Sequence, residues 1–222
     1  NDWKKSWLSV CEAVVYYADR YEKSAENFWP FRLEGIPTVE ISMAMPLDIV
    51  NPDTGEPIIY VGRADQIVTD NSSGLLYLED DKTVSELGQS FPRKHINDGQ
   101  FLGYTYMTRK EYDIDVRGVL IRAACFYANR IDGDQVLHTY SDRQLSDWYN
   151  SLQRTVKRMV LDYKALKDKG IDSFAQAHNE ACTQYGGCIF VDSCVYGIRP
   201  SAPDFMRKRW DPVKRIEIIL DD

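Results

Sequence analysis

The sequence predicts an α/β fold in which helices flank a mixed central sheet that contains an antiparallel meander. Three consecutive segments have the pattern of strands and are joined by short polar loops. After them come segments in the order helix, strand, strand, helix, which is typical of a mixed α/β domain. The length of 222 residues suits one domain of ordinary to large size.

Composition excludes several classes of protein. Hydrophobic residues make up 44% and charged residues 27% of the chain, which argues against a disordered or fibrous protein. No apolar stretch approaches the roughly 20 residues that cross a bilayer, and the first residues do not resemble a signal peptide. We therefore expect a soluble protein without a membrane partner. The net charge of −7 taken alone argues against a general nucleic-acid binder.

The first half of the chain predicts one helix and then the meander. Residues 3–21 have apolar side chains at helical spacing, and the apolar residues of 38–50 alternate as in a strand. Two further strands are predicted over 58–68 and 75–82. The segments between them, NPDTGEP and DNSSG, are rich in turn-forming residues.

The second half predicts two helices and two strands. A helix is expected over 98–110, a buried strand over 116–127, a turn at 132–134 and another strand over 135–140. Ser141 and Gln144 have the spacing of a capping box. The apolar stripe that follows them predicts a helix of roughly 25 residues ending near Gly170.

We expect one domain over residues 1–222. It consists of an N-terminal helical segment (1–35), a core (36–170) and a cysteine-containing C-terminal segment (171–222). The sequence begins with Asn1 instead of Met, which favours a piece of a longer chain.

Acidic residues cluster on two neighbouring predicted strands. Asp65 ends the segment Gly-Arg-Ala-Asp, and Asp80, Asp81 and Lys82 end the next strand. Because side chains alternate along a strand, Asp80 and Lys82 share one face. Because the strands are antiparallel neighbours, Asp65 and Asp80 are expected to converge on an oxygen-ligand site for Mg²⁺ or Mn²⁺, with the backbone carbonyl of Asp81 as a further ligand.

Three other side chains extend this candidate site. Glu40 lies on the first strand, opposite its apolar row, and is expected to face the same place as a further ligand of the metal ion. Gln100 and Tyr104 are four residues apart, which puts the amide and the phenol on one helix face. For each feature taken singly, a solvent-facing strand end or helix face is the alternative interpretation.

In combination these motifs resemble the PD-(D/E)xK nuclease superfamily, and most closely its RecB-like branch, which includes phage exonucleases and CRISPR adaptation nucleases. The resemblance covers roughly residues 36–200 and rests on Glu40, Gly-Arg-Ala-Asp at 62–65, Asp-Asp-Lys-Thr at 80–83 and Gln-Phe-Leu-Gly-Tyr at 100–104. It implies a restriction-endonuclease-like core and a Mg²⁺- or Mn²⁺-dependent DNA exonuclease. It also implies a bacterial or phage-encoded protein of the cytoplasm.

The resemblance implies a role for each matched residue. Asp65 and Asp80 match the metal-binding acidic residues, and Lys82 matches the catalytic lysine. Residues 100–104 match a motif that helps to place the DNA, and Glu40 matches an upstream acidic residue of many members. One departure is that many members carry a metal-binding histidine in an N-terminal helix, whereas all histidines here follow the three strands.

The implied partners are single- or double-stranded DNA ends and a recombination protein or helicase. Two alternatives stay open. One is a DNA-binding or scaffold module that has the same fold but has lost catalysis. The other is the nuclease domain of a larger helicase–nuclease.

The five cysteines cannot all pair, which favours a reducing compartment. The resemblance implies that Cys182, Cys188 and Cys194, with Cys11 as fourth ligand, hold a [4Fe–4S] cluster. A Zn²⁺ site on the same four residues and inert thiols are the alternatives, and for Cys11 a buried structural thiol is the default. Cys125 belongs to the buried strand and is expected in the core.

Three basic stretches are further candidates for contact with DNA: residues 93–95, which include His95, residues 154–158 and the tail at 207–215. The alternatives are a solvated loop for the first stretch, a solvated helix face for the second, and a capping strand or a contact to a partner for the tail.

Overall fold

The computed structural model describes the greater part of the chain. The described residues are 6–25, 27–127, 130–170, 180–183 and 186–197. The candidate DNA-binding tail at 207–215 and His178 lie outside them. None of the helices in these ranges combines the length and the apolar character needed to span a membrane.

The first part of the chain folds into one helix and six strands, three of them very short. These elements are α1 (Trp7–Ala25), β1 (Phe28–Pro30), β2 (Arg32–Leu33), β3 (Ile36–Pro37), β4 (Val39–Val50), β5 (Pro57–Asp70) and β6 (Leu76–Val84). The long elements agree with the helix and the three meander strands that periodicity predicts.

The second part of the chain contains two strands and several helices. Its elements are α2 (Phe91–Lys94), α3 (Gly99–Glu111), β7 (Val116–Phe126), β8 (Ile131–Thr139), α4 (Asp142–Lys169), a 3₁₀ turn (Glu180–Cys182) and α5 (Val191–Tyr196).

The chain divides into two compact units. The first comprises Asn1–Ile49 and Pro57–Arg154, and the second comprises Val50–Glu56 and Thr155–Asp222. The boundary falls within α4. The expectation of one domain stays a prediction.

The first unit contains a six-stranded sheet in the order β1-β5-β6-β7-β8, with β4 also paired to β5. The pairs β1–β5, β5–β6 and β7–β8 are antiparallel, whereas β6 and β7 are parallel because α2 and α3 form the crossover between them. Helix α1 contacts β7 and β8, and α3 contacts β5, β6 and β7. The predicted mixed α/β fold is thus confirmed.

Strand β7 lies at the centre of the core, as its run of apolar residues predicts. Val119, Leu120 and Ile121 are fully buried there. Leu120 also packs with Val68 of β5 as part of one apolar cluster. The parallel β6–β7 pair therefore gives the candidate site of β6 a rigid support.

The predicted turn at 132–134 is wrong, because these residues lie inside β8 and pair with residues 123–125 of β7. Gly133 is needed for close packing instead of for a turn. A Cβ atom at this position would lie 3.1 Å from the hydroxyl of Tyr21 and 3.2 Å from the ring of Tyr16, both on α1.

Helix α4 begins and ends as predicted. The Ser141 N–H donates to Gln144 Oε1 at 3.1 Å and the Gln144 N–H donates to Ser141 Oγ at 3.2 Å, which is the reciprocal bonding of a capping box. The helix stops before Gly170, which has a φ of +78°. Its apolar stripe is only partly covered, since Leu145 is buried whereas Met159 is 62% exposed.

Candidate active site where the pairing of β5 and β6 ends

Asp80 and Lys82 lie side by side on the face of β6 that is covered by α3. The Lys82 Nζ is 2.5 Å from Asp80 Oδ2, and its ammonium group lies 5.4 Å from the centre of the Phe101 ring on α3. Asp80 is only 6% exposed. The buried carboxylate of Asp80 is therefore paired with the partly exposed Lys82, which is the arrangement that strand alternation predicts.

Asp65 reaches this pair from the neighbouring strand. The antiparallel register pairs Gln66 of β5 with Glu79 of β6, so the next residues along, Asp65 and Asp80, come to the same end of the two strands. The Asp65 Oδ2 accepts a long hydrogen bond of 3.4 Å from the Asp81 N–H. Asp65 thus lies beside the end of β6, where the predicted site needs it.

The charges of these carboxylates act on one another. Burial raises the pKa of Asp80, Lys82 lowers it, and the charges of Asp65 and Asp81 raise it further. Burial likewise raises the pKa of Asp81, against the lowering effects of its hydrogen bond from Tyr17 and the charge of Arg122. A divalent cation between Asp65 and Asp80 would favour the ionised form of both.

Glu79 and Asp81 alternate with Asp80 and Lys82 along β6, and their side chains face the opposite side of the sheet, which is covered by α1. Glu79 forms a buried ion pair of 2.6 Å with Arg122 of β7 and accepts a 2.8 Å hydrogen bond from Gln66 Nε2. The Arg122 guanidinium lies 5.5 Å from the centre of the Tyr21 ring on α1. Burial raises the pKa of Glu79 to about 7, against the opposing charge of Arg122.

Asp81 also faces α1, and its carboxylate accepts a hydrogen bond from the Tyr17 hydroxyl. The contact between Asp81 and Asp65 is made by the backbone N–H of Asp81. The sequence reasoning missed Tyr17 and Arg122. A signal for Arg122 was present, since it lies within the apolar run of β7, and a charge in such a run needs a buried partner.

Gln100 and Tyr104 share one face of α3, as predicted. Gln100 Nε2 donates to the Tyr104 hydroxyl at 3.3 Å. The Tyr104 ring packs directly over the Gly-Arg-Ala-Asp segment of β5, because a Cβ atom on Gly62 would lie only 2.6 Å from Tyr104 Cε1. The glycine of this motif therefore lets α3 approach the strand that carries Asp65.

The start of α3 is fixed by Asp98 and His95. Asp98 Oδ1 accepts from the Gln100 N–H at 2.9 Å, and its Oδ2 lies 3.2 Å from His95 Nδ1. His95 is only 4% exposed and its ring contacts Phe91 and Phe101. The proposed contact of His95 with DNA is therefore wrong, because the imidazole is packed into the protein to hold α3.

Glu40 lies on β4, the strand that pairs with β5, and has a φ of +52°. Its exposed carboxylate forms an ion pair with Arg63 of the Gly-Arg-Ala-Asp segment. The partner of Glu40 is thus the guanidinium of Arg63, two residues before Asp65 in the sequence. Its role as a metal ligand stays a prediction.

The described cysteines are free thiols. Cys125 is fully buried in β7, as predicted, whereas Cys11 is exposed on α1, so its default interpretation as a buried thiol is wrong. In the second unit the Cys188 N–H donates to the Cys182 carbonyl at 3.1 Å, and Cys194 lies on α5. The [4Fe–4S] cluster and the Zn²⁺ site stay predictions.

The residues present fit a magnesium or manganese ion. In the part of the chain that the structure describes, no three His, Cys, Asp or Glu side chains come together as a complete metal-binding group. Mg²⁺ does not require one, because it is commonly held by one or two carboxylates together with waters and substrate phosphates. Asp65 and Asp80 would supply the two carboxylates, and a cation would relieve the repulsion that the charge of Asp65 exerts on Asp80.

Comparisons with known proteins give little that bears on function. No protein-family model matches the chain, and no curated protein matches it. Among solved structures, it is similar to an archaeal protein titled "Crystal structure of SSO0001", with 11% sequence identity and a TM-score of 0.31. That match covers 65% of this chain and 59% of the other, so the chain spans under two thirds of that structure's length.

Proposed function

We propose that this chain is a metal-dependent deoxyribonuclease that hydrolyses the phosphodiester bonds of DNA. The observation that supports the proposal most strongly is the arrangement of Asp65, Asp80 and Lys82 where the pairing of β5 and β6 ends, with a Lys82–Asp80 distance of 2.5 Å. Two carboxylates next to one ammonium group provide both a cation site and a positive charge for a phosphate. The motifs that resemble the PD-(D/E)xK superfamily support the same conclusion.

Each residue has a separate task in this proposal. Asp65 and Asp80 hold Mg²⁺ or Mn²⁺, and Glu40 and the backbone carbonyl of Asp81 are further candidate ligands. When bound, such a metal would supply Lewis-acid polarisation of the phosphodiester and would lower the pKa of a water molecule. Lys82 orients the attacking water by donating a hydrogen bond to it, and its charge faces the negative charge that develops on the phosphate.

The face of α3 binds the substrate. Gln100 and Tyr104 lie beside one another at 3.3 Å and carry hydrogen-bonding groups suited to the phosphates or bases of one DNA strand. The exposed Arg93 and Lys94 lie in the last turn of α2, a few residues before α3, and add positive charge to the segment that leads into this helix. The proposed substrate is the ends of DNA, and the proposed mode of action is exonucleolytic. The proposed setting is the bacterial cytoplasm, with a helicase or recombination protein as partner.

The proposal is tested by incubating linear single- and double-stranded DNA with the purified protein in Mg²⁺, in Mn²⁺ and in EDTA. We expect degradation with either metal and none in EDTA. Lys82→Ala is expected to reduce the rate by about 100-fold or more, which is the usual scale for loss of a positioned donor that stabilises developing negative charge.

Lys110→Ala is the matched control, because it removes an exposed lysine from the last turn of α3. It is expected to cleave at the wild-type rate. A protein that binds DNA but cuts it with no divalent metal would contradict the nuclease proposal and would support the alternative of a DNA-binding module without catalysis.

A further inference from the structure

Helix α1 reaches the back of the candidate site through one side chain. The Tyr17 hydroxyl donates to Asp81 Oδ1. The N–H of the same residue, Asp81, donates to Asp65 Oδ2 at 3.4 Å. Residue 81 therefore links α1, on one face of the sheet, to Asp65 at the end of the sheet where the metal ion is proposed to bind.

Tyr17 is itself firmly placed. Its ring lies against the ring of Tyr21, with 4.7 Å between the centroids. Tyr21 is 5% exposed, and its hydroxyl donates to the carbonyls of Ala123 and Asp134 at 3.0 and 2.8 Å. The ring of Tyr17 thus packs against a tyrosine that is itself bonded to β7 and to the edge strand β8.

A neutral donor at this position suits the surrounding charges. The charge of Asp65 disfavours the ionised form of Asp81, whereas its hydrogen bond from Tyr17 and the charge of Arg122, which is paired with Glu79 at 2.6 Å, favour it. The Tyr17 hydroxyl stabilises the Asp81 carboxylate without adding a positive charge that would compete with a metal ion. Burial raises the pKa of Tyr17, so its hydroxyl stays protonated and remains a donor.

We propose that Tyr17 is a positioning residue for the metal site, because it fixes the carboxylate of Asp81 and thereby the backbone N–H of residue 81 that donates to Asp65. This inference rests on the proposed function only in taking Asp65 and Asp80 as metal ligands. Without the hydroxyl, the end of β6 loses its anchor on α1, and the backbone N–H and carbonyl of residue 81 are free to shift.

The test is Mn²⁺ affinity, measured by calorimetry on the full chain without DNA. Tyr17→Phe keeps the ring contact with Tyr21 and removes only the hydroxyl. We expect it to bind Mn²⁺ about tenfold or more weakly, which is the usual loss when a partner that orients a metal ligand is removed. Excess Mn²⁺ is expected to restore DNA cleavage, because the catalytic groups are unchanged.

Tyr16→Phe is the matched control. Tyr16 is the neighbouring residue on α1, and its hydroxyl also contacts a carboxylate, that of Asp132 on β8, at 3.5 Å. It is expected to bind Mn²⁺ with wild-type affinity. Equal weakening in Tyr16→Phe and Tyr17→Phe would overturn the proposal, since the effect would then belong to α1 in general.

Asp81→Asn shows whether Tyr17 acts through Asp81. The neutral amide still accepts a hydrogen bond from Tyr17 but more weakly, so this variant alone is expected to reduce Mn²⁺ affinity. In the Asp81→Asn background the further effect of Tyr17→Phe is expected to shrink, because the two side chains form one link. Wild-type affinity in Asp81→Asn, or fully additive effects, would contradict the proposal even if Tyr17→Phe folded poorly.

The outcomes also separate this inference from the proposed function. Wild-type protein that binds Mn²⁺ but leaves DNA intact would refute the nuclease proposal, and weaker Mn²⁺ binding by Tyr17→Phe would still support the role of Tyr17. Conversely, a wild-type nuclease whose Tyr17→Phe variant binds Mn²⁺ normally would refute the role of Tyr17 alone.

Discussion

Consecutive residues at the end of β6 have different environments because they face different helices. Asp80 has Lys82 as its cation on the side of α3, whereas Glu79 has Arg122 on the side of α1. A buried carboxylate needs such a partner, because its transfer from water is otherwise costly. Asp65 adds a second negative charge beside Asp80, and Lys82 can balance only one of the two.

A residue-scale prediction concerns His138 on β8. Burial lowers the pKa of its imidazole below the ordinary value of 6.5, and the charge of neighbouring His95 lowers it further. Its Nε2 atom is buried without a hydrogen-bond partner among the residues that the structure describes. The unfolded chain therefore binds the proton more readily, and the free energy of unfolding falls as the pH drops below 6.5.

Urea denaturation at pH 7.5 and pH 5.5, for the wild type and His138→Gln, measures this effect. The variant cannot bind the proton, so its free energy of unfolding is expected to fall less between the two pH values. An identical fall in both proteins would show that His138 does not contribute to the acid sensitivity.

At the scale of elements, the site depends on how closely α3 approaches β5. Gly62 leaves room for the Tyr104 ring, and Asp98 caps the helix through the Gln100 N–H. Both contacts involve the face that is proposed to bind DNA. The position of α3 is thus set by the segment that carries Asp65 and by the loop before the helix.

Gly62→Ala tests this dependence. The added methyl group would lie 2.6 Å from Tyr104 Cε1, so α3 or the ring must shift. Overpacking of this kind costs about 1–3 kcal/mol in the free energy of unfolding. We also expect a larger KM for DNA, measured by steady-state cleavage, because Gln100 and Tyr104 move with the helix.

Gly88→Ala is the control for Gly62→Ala. A Cβ atom there would have only Ser90 Oγ within 4 Å, at 3.9 Å, so neither stability nor KM is expected to change appreciably. An unchanged KM in Gly62→Ala would show that the approach of α3 to β5 is not part of DNA binding.

Local patterns were sufficient to predict most elements, because periodicity depends on residues a few positions apart. Alternation placed Asp80 beside Lys82, and helical spacing placed Gln100 beside Tyr104. The pattern failed at 132–134, where Gly133 serves packing against α1. A glycine between two aspartates is equally typical of a turn, and only the distant helix distinguishes the two cases.

The contacts behind the site could not be predicted in this way. Arg122 reaches Glu79 because the parallel register of β6 and β7 pairs residue 122 with residue 81. That register is set across a crossover containing α2 and α3, and Tyr17 reaches Asp81 over 64 positions of sequence. Such pairings depend on the assembled sheet, so the sequence offered only the unexplained charge of Arg122.

At the scale of the whole molecule, the net charge of −7 no longer argues strongly against a nucleic-acid partner. Part of the acidic excess, Asp65 and Asp80, is assigned to a proposed cation site. The charge still opposes DNA at long range, so binding without metal is expected to be weak and sensitive to salt. A loading partner would overcome the same repulsion.

The central claim is that Asp65 and Asp80 hold the divalent ion that DNA cleavage requires. The measurement that tests it most directly is the Mn²⁺-dependent cleavage rate of end-labelled linear DNA by wild type and Asp80→Asn, which keeps the shape of the side chain. Asp147→Asn, with an exposed carboxylate on α4, is the control. We predict a loss of about 100-fold or more for Asp80→Asn, because removing a metal ligand should cost at least as much as removing a partner that orients one, which costs about 10–100-fold, and no loss for the control. Cleavage by folded Asp80→Asn at the wild-type rate would contradict the account.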